Sequence, residues 1–263
     1  MNSDYQNQPV DVTVAVMSYN NARFIGQTID SILAQEGVAF ELKVFDDCST
    51  DDSVKVLDRY VDDPRFHYEI NEKNLGLNGN YNRCLRSGQG RYVVVLGSDD
   101  VLYPDHIRSL CAAMDAAPQA MLGYVQCNWI DESGELIRRA VHPGHRDASY
   151  AGGRNEIAGL LSYDNYITPS AAILRRSMLD TVALPDGTLA RDHLLAQDWD
   201  LWLRIAAVHP DFVFLCQATV GYRIHGGQIS QKFYADARPL LEHTEILERC
   251  LIDAATAPRI REA

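Results

Sequence analysis

Two pairs of adjacent aspartates follow apolar segments of the sequence. Asp46 and Asp47 come directly after FELKVF, whereas Asp99 and Asp100 come after YVVVLGS. Neighbouring carboxylates repel each other and lose hydration at a partly buried sheet edge, so they need a cation or hydrogen-bond donors. Mg²⁺ and Mn²⁺ prefer oxygen ligands and keep waters or phosphate oxygens in their shell. The pairs indicate a site for a divalent cation and a diphosphate; taken singly, they are also typical turn residues or helix caps, as is Asp51.

A second candidate carboxylate lies in the segment DWDLWLRI, which predicts a helix from residue 198 to 208. At helical spacing Asp198 shares one face with three apolar residues, Leu201, Trp202 and Ile205. Asp198 should therefore point toward the protein body, and Asp200, roughly 160–200° around the helix, toward solvent. Burial raises a carboxyl pKa and a helix N-terminus lowers it, a compromise that suits a general base. The alternative is that Asp198 only caps the helix.

Strands and helices alternate over the first hundred residues, and this alternation positions the acidic pairs. Apolar and β-branched segments predict four strands, at 11–17, 40–45, 65–70 and 92–96. Such alternation predicts a parallel sheet covered by helices on both faces, which binds ligands at the carboxyl ends of its strands. The loops SYNN, DDCSTDD and GSDD should therefore share one polar, acidic edge.

The second half of the chain is less regular. It predicts a helix at 104–116, a strand pair around the turn at 132–134, and a terminal helix at 234–258. Further strands are predicted at 167–176, 212–215 and 219–224.

Composition narrows the class of protein. The 263 residues carry a formal net charge of -12, which argues against binding to the backbone of nucleic acids. No apolar run approaches the roughly 20 residues that span a bilayer, and the start lacks the features of a signal peptide. The six cysteines form no C-x-x-C pair and indicate free thiols in a cytoplasmic protein. The absence of a P-loop and of G-x-G-x-x-G argues against a P-loop NTPase and a dinucleotide oxidoreductase.

The sequence resembles the family 2 glycosyltransferases through segments that occur in the family's order: VAVMSYNNARFIGQTIDSILAQ with FELKVFDDCSTDDSVKVL, NLGLNGNYNRCLRSGQGRYVVVLGSDDVLYPDHI, AQDWDLWLRIA, and GYRIHGGQIS. The resemblance covers most of residues 10–232. It implies the α/β GT-A fold, a Rossmann-like, mostly parallel central sheet flanked by helices, with a smaller acceptor-side region and a C-terminal helix. We expect one domain over 1–232, with a nucleotide-binding half at about 10–100 and an acceptor half at 101–232, followed by a helical extension at 233–263.

The resemblance also implies inverting transfer of a sugar from a nucleotide-diphospho-sugar donor to a hydroxyl of a glycan or glycolipid acceptor. The residue matching Tyr19 contacts the nucleobase, and Asp46 or Asp47, with Asp47 favoured, hydrogen-bonds it. Since a carboxylate accepts from a pyrimidine N–H, UDP or dTDP is the favoured carrier. We assign nine residues to nucleotide binding: Ser18, Tyr19, Asn20, Asp46, Asp47, Asn74, Asn78, Ser98 and Arg223.

The family's Asp-x-Asp motif reads Gly97-Ser98-Asp99 here. By this resemblance Asp99 is the main ligand of Mn²⁺ or Mg²⁺, with His225 and Asp100 as further candidates for the metal shell. The family's Glu-Asp motif has Gln197 in place of the Glu, and Asp198 matches its general base.

The departures at Gly97 and Gln197 motivate an alternative, a sugar-nucleotide-binding protein that has lost catalysis. A nucleotidyltransferase is a third hypothesis, but it would carry a glycine-rich basic stretch after the first strand, which SYNNARF does not supply. By analogy with the family, surface polysaccharide or glycolipid synthesis is the expected role. Peripheral association with the inner face of the membrane and a homodimer remain open.

Overall fold

The structure, a computed structural model, describes residues 10–139, 148–153, 156–230 and 238–252. Within these ranges the chain forms ten strands and seven α-helices. The strands are β1 (Val12–Ser18), β2 (Phe40–Asp46), β3 (Phe66–Ile70), β4 (Tyr92–Gly97), β5 (Val101–Leu102), β6 (Leu122–Ile130), β7 (Leu136–Arg138), β8 (Tyr150–Ala151), β9 (Ala172–Arg175) and β10 (Val213–Arg223). The helices are α1 (Ile25–Leu33), α2 (Ser53–Leu57), α3 (Gly76–Arg86), α4 (His106–Ala116), α5 (Glu156–Tyr163), α6 (Gln197–Val208) and α7 (Arg238–Ile252).

All ten strands belong to one sheet in the order β3-β2-β1-β4-β9-β6-β10-β5, with β7 beside β6 and β8 beside β10. The first four strands run parallel, because helices α1 to α3 carry the chain back between them. The parallel sheet predicted for the first hundred residues is therefore confirmed. The carboxyl ends of β1, β2 and β4 meet at one edge, which carries the two aspartate pairs.

Beyond β4 the sheet is mixed. Strand β9 runs antiparallel to β4 and β6, whereas β10 runs parallel to β6 and antiparallel to β5. The two strands predicted at 212–215 and 219–224 form the single strand β10, whose register shifts between Leu215 and Val220. The strand predicted at 167–176 forms only as β9, because Pro169 begins a 3₁₀ turn before it. Strands β5 and β8 and helix α5 have no counterpart in the prediction.

The central strands are buried on both faces. Ala15, Val93 and Val95 pack against α3 and α6 on one face, and the alternate residues Val14, Val16, Val94 and Leu96 pack against α1 and α4 on the other. This arrangement explains why the strands read as continuous apolar runs rather than as alternating ones. No helix in the described part of the chain combines the length and apolar composition that spanning a bilayer requires.

The C-terminal helix packs against α6, which covers one face of the sheet. It was predicted over 234–258 and is described as Arg238–Ile252; positions 234–237 and 253–258 of that prediction lie outside the described residues. Ile246 is fully buried in the cluster that contains Trp202 of α6. The domain boundary at residue 232 stays a prediction.

Gly90 precedes β4 and touches the backbone of β1. A Cβ added there would lie 2.3 Å from the Thr13 nitrogen and 2.5 Å from the Val12 carbonyl carbon, atoms that cannot rotate away. We expect Gly90→Ala to lower the free energy of unfolding by about 3 kcal/mol, the upper end of the usual overpacking cost. Urea denaturation measures this change. Gly226→Ala is the control, because no described atom lies within 4 Å of its added Cβ; equal stability of the two variants would contradict the expectation.

Candidate active site

Asp46 fastens the end of β2 to the end of β1. Its side chain is fully buried and accepts hydrogen bonds from the Ser18 hydroxyl at 2.9 Å and from the Ser49 amide and hydroxyl at 2.8 and 2.6 Å. Three donors compensate its charge without any ligand. The hydroxyl of Ser18 is therefore already used as a donor to Asp46.

Asp47 connects the loop after β2 to the start of α3. Its carboxylate accepts from the Asn71 side chain at 2.7 Å and from the Leu75 and Gly76 amides at 2.7 and 2.9 Å. The Asn74 side chain donates to the Asp47 carbonyl oxygen at 3.0 Å. A carboxylate has about four acceptor positions, so Asp47 keeps about one for another donor. Gly76 has a φ of 72°, which a glycine adopts without strain.

Tyr19 and Asn20 form the exposed rim of this edge. Tyr19 is 52% exposed, so its ring face is available to a planar ligand. The Asn20 side-chain oxygen accepts from the Thr50 amide at 2.7 Å, and the Asn20 amide donates to the Ser49 hydroxyl at 2.8 Å. Asn20 thus orders the loop beside the exposed ring.

Asp99 and His225 meet at the end of β4. His225 Nε2 lies 2.9 Å from Asp99 Oδ2, and the two side chains are 11% and 19% exposed, respectively. The Phe24 ring packs 4.8 Å from the imidazole and orients it. A separation of 2.9 Å is about that of two neighbouring ligands on an octahedral ion with bonds of about 2.1 Å.

The residues present therefore fit a divalent cation that takes its other ligands from water and phosphate oxygens. The described residues contain no group of three or more His, Cys, Asp or Glu side chains placed to hold an ion. The chain would supply Asp99 and His225, and a bound nucleotide would complete the shell.

Asp100 lies beneath Asp99 and is 3% exposed. It accepts from the Arg223 amide at 3.0 Å and from the Ser170 hydroxyl. Burial, followed by the charge of Asp99, raises the pKa of Asp100. Asp100 thus supports the loop that carries Asp99, and its place in a metal shell stays a prediction.

Arg223 is fully buried and ties three elements together. Its guanidinium donates at 2.8–3.0 Å to four oxygens, the carbonyls of Asp99, Asp131 and Glu132 and the side chain of Gln27. These internal bonds already use four of the five N–H groups of Arg223, and the nucleotide contact expected of this residue stays a prediction.

Gly97 and Ser98 complete the β4 loop. A Cβ at Gly97 would lie 2.7 Å from Asp99 Oδ1, so the absent side chain leaves the space that the Asp99 carboxylate now occupies. The Ser98 hydroxyl is buried and accepts from the Asn21 side chain at 2.9 Å. Ser98 therefore holds the loop against the start of α1.

Asp198 lies in the first turn of α6 and is partly exposed. Asn165 Nδ2 donates to its Oδ2 at 2.8 Å, and the Trp199 amide donates to its Oδ1 at 3.0 Å. Burial raises the pKa of Asp198 to about 6, against the opposing effect of these hydrogen bonds. Both partners are neutral, so within the described part of the chain no positively charged side chain is bonded to the carboxylate.

Tyr222 lies with its hydroxyl 3.0 Å from the Ser230 hydroxyl. Burial raises the pKa of its hydroxyl, and the charges of Asp100, Asp99 and Asp198 add to that effect.

Asp200 was predicted to face solvent, and this prediction is wrong. It is 3% exposed and accepts from Arg191 Nε at 3.2 Å and from Arg204 Nε at 3.0 Å. Arg204 also donates to the carbonyls of Val182 and Leu189. The helical geometry placed Asp200 opposite Asp198 correctly, but the segment 182–191 covers that side of α6.

Asn78 holds the segment before α6. It is 4% exposed, and its amide nitrogen lies 2.6–3.0 Å from the carbonyl oxygens of Arg191, Asp192 and Leu194. One turn further on, Asn82 bonds the backbone of Leu189 and Ala190. The spacing of Asn78 and Asn82 by four residues places both on one face of α3 and could have indicated this pair, whereas nothing in the sequence singled out Asn165.

A cavity of about 460 Å³ opens between α3 and that segment. It is lined by residues 73–79 together with Asp192 and Leu195. The loop fixed by Asp47 thus forms one wall, and the segment leading to Asp198 forms the other.

The family model described as Glycosyl transferase family 2 matches residues 13–182. The chain belongs to glycosyltransferase family 2. It is 41% identical over 107 residues to the succinoglycan biosynthesis protein ExoO of Rhizobium meliloti (strain 1021). This match covers 41% of the chain and 30% of ExoO, so the chain spans about a third of that relative's length.

Solved structures show that this family 2 chain has the GT-A fold. S. aureus TarS 1-349 in complex with UDP-GlcNAc superposes with a TM-score of 0.73 at 18% identity, over 95% of this chain and 69% of that one. The mannosyltransferase PcManGT from Pyrobaculum calidifontis, in complex with GDP-Man and Mn²⁺, gives 0.67 at 17% identity, over 97% and 69%. The predicted family and fold class are confirmed.

The hydrogen bond from Asn165 to Asp198 should lower the pKa of the Asp198 carboxyl, and a substitution can test this effect. In Asn165→Ala the carboxylate loses a neutral donor that favours its charged form, so its pKa should rise above the native value of about 6. Carbon-13 NMR of the Asp198 carboxyl during a pH titration measures both values. Gln217→Ala, which removes an exposed amide, is the control. An unchanged or lower midpoint in Asn165→Ala would show that Asn165 does not act on Asp198.

Proposed function

We propose that the protein is an inverting, metal-dependent glycosyltransferase. It moves a sugar from a nucleotide-diphospho-sugar, with UDP or dTDP favoured, to a hydroxyl of a glycan or glycolipid acceptor. The role is surface polysaccharide or glycolipid synthesis, supported by the similarity to the succinoglycan biosynthesis protein. Support for the donor class comes from the complexes of structural neighbours with UDP-GlcNAc and GDP-Man.

The observation that carries this proposal is the environment of Asp198. A carboxyl with a pKa of about 6 is ionised at neutral pH and takes up a proton more readily than an ordinary aspartate. This property suits a general base that accepts a proton while the acceptor hydroxyl attacks. Asp200, on the same helix, is instead paired with two arginines, Arg191 and Arg204.

The nucleotide binds at the carboxyl edge of β1, β2 and β4 in this proposal. The exposed Tyr19 ring stacks on the base, and the remaining acceptor position of Asp47 receives a pyrimidine N–H. Five residues shape these loops through the contacts described above: Ser18, Asn20, Asp46, Asn74 and Ser98. In this proposal Asn78 and Arg223 stabilise the segments around the site and do not contact the nucleotide themselves.

Asp99 and His225 hold the cation, Mn²⁺ or Mg²⁺. When bound, a divalent cation stabilises the negative charge that develops on the departing diphosphate. Asp198 removes the proton from the acceptor hydroxyl, which attacks the anomeric carbon on the face opposite the diphosphate. The single displacement inverts the configuration at that carbon, and the nucleoside diphosphate departs.

The alternative, a protein that binds sugar nucleotides without turning them over, rests on Gly97 and Gln197. Gln197 is 5% exposed, and its carbonyl oxygen has no hydrogen-bond partner among the described residues. Incubation with UDP-, dTDP- and GDP-sugars and Mn²⁺ distinguishes the candidates. Release of nucleoside diphosphate indicates the transferase, protection against heat without release indicates the binder, and consumption or release of pyrophosphate indicates a nucleotidyltransferase.

Asp198→Asn tests the base. The amide cannot take the acceptor proton, so transfer should fall by about 10²- to 10⁴-fold. The dissociation constant for UDP should stay close to that of the native protein, because Asp198 does not contact the nucleotide. Steady-state kinetics and calorimetry measure the two quantities, with the exposed Asp180→Asn as control. Parallel loss of transfer and UDP binding would assign Asp198 a structural role instead.

Asp99→Ala tests the metal site. Removing the main oxygen ligand should abolish the increase in UDP affinity that Mn²⁺ produces in the native protein, because His225 alone is a weak ligand for a hard cation. Calorimetric titration of UDP with and without Mn²⁺ measures this difference, and Asp180→Ala serves as the matched exposed substitution. A full Mn²⁺ effect in Asp99→Ala would place the ion elsewhere.

A further inference from the structure

The C-terminal helix α7 reaches the start of the helix that carries Asp198. One oxygen of Glu242, Oε2, accepts from two successive backbone amides, Leu195 at 2.7 Å and Ala196 at 2.9 Å. Helix α6 begins at the next residue, Gln197, and no side chain of its own N-cap residue caps it. The first amides of a helix have no partner within the helix. Glu242 is distant in the sequence, and its carboxylate accepts hydrogen bonds from the two backbone amides that directly precede α6.

A second contact from α7 reaches the same place. The His243 ring packs on Trp199, the residue after Asp198, with ring centroids 4.7 Å apart. His243 Nε2 also lies 3.7 Å from Asp164 Oδ1, and the next residue, Asn165, is the one that donates to Asp198. Two adjacent residues of α7 therefore touch both chain segments that position the Asp198 carboxylate.

The rest of α7 fixes these contacts in space. Ile246 is fully buried and Cys250 is 6% exposed, and both belong to the cluster around α6. Leu240 and Leu241, in contrast, are 72% and 68% exposed. The helix is anchored by its later turns, and it presents Glu242 and His243 to α6.

We propose that Glu242 is a positioning residue for Asp198, and that through this residue α7 fixes the start of α6 rather than forming a separate extension. This inference rests on the proposed role of Asp198 as the base. The bonds to the amides of Leu195 and Ala196 fix the direction in which the chain enters α6. Since Asp198 lies in the first turn, a change in that direction moves its carboxylate relative to the acceptor hydroxyl.

Glu242→Ala removes both amide contacts, so the start of α6 loosens. Displacement of a reacting group by about 1 Å can cost about 10²-fold, so we expect kcat to fall by about 10- to 100-fold. The donor KM and the UDP dissociation constant should stay near native, because Glu242 is not part of the nucleotide edge. Glu248→Ala, an exposed glutamate on the same helix, is the matched control and should keep native kcat.

Two further substitutions separate geometry from charge and from general loss of stability. Glu242→Gln keeps an oxygen at the same reach and should retain most of the native kcat. Glu242→Asp keeps the charge but withdraws the carboxylate from the amides, so its kcat should fall below that of Glu242→Gln. An Asp variant as active as the native protein, or a Gln variant as impaired as the Ala variant, would overturn the proposal.

An NMR measurement tests the same contacts without turnover, so the outcome does not depend on knowing the donor. In Glu242→Ala the amides of residues 195–200 should exchange with solvent faster, and the titration midpoint of the Asp198 carboxyl should shift. Native exchange rates together with a native midpoint would overturn the positioning role, even if the native protein transfers sugar. Altered exchange and midpoint in a protein that releases no nucleoside diphosphate from any donor would instead contradict only the proposed function.

Discussion

Carboxylates at the carboxyl edge of the sheet must find donors or a cation, and this constraint organises the region. Asp46 and Asp47 satisfy it with hydroxyls, amides and an asparagine, and Asp100 does so with a serine and a backbone amide. The bonds of Asp46 and Asp47 connect the ends of β1, β2 and β3, whereas those of Asp100 connect the β4 loop to β10 and to the turn before β9. Asp99 differs from the others, because its described side-chain partner is His225, itself a metal-ligand type of side chain. In the function we propose, Asp99 is therefore the one of these four aspartates that would hold the cation.

The contrast between Asp198 and Asp200 shows how environment assigns roles to two carboxylates on one helix. Asp200 forms ion pairs with two arginines. Removing one partner of a buried ion pair strongly destabilises a protein. Asp198 has only neutral donors, and burial raises its pKa to about 6. The first therefore joins α6 to the segment 182–191, whereas the second remains available for proton transfer. The chemistry we propose for Asp198 depends on Asp200 fixing the helix that both share.

The sequence predicted the parts of the fold that depend on local patterns. The four parallel strands and the edge they share follow from short apolar runs and intervening helical spacing, and the strand pair around residues 132–134 follows from its turn. Contacts between distant segments were not predictable in this way. The burial of Asp200 depends on residues 182–191, which have no periodic pattern, and the burial of Arg223 depends on carbonyls from β4 and from the turn after β6. Asn165 and Glu242 were missed for the same reason, since each acts on a segment far away in the sequence.

Gly97 has a structural consequence that bears on how a cation would bind. With no side chain at residue 97, the Asp99 carboxylate lies in the space that a Cβ would occupy, beside His225. One carboxylate and one imidazole give a site of lower charge than two carboxylates, so the ion gains more from the phosphate oxygens of a bound nucleotide. In such a site metal and nucleotide bind together, because each supplies what the other lacks.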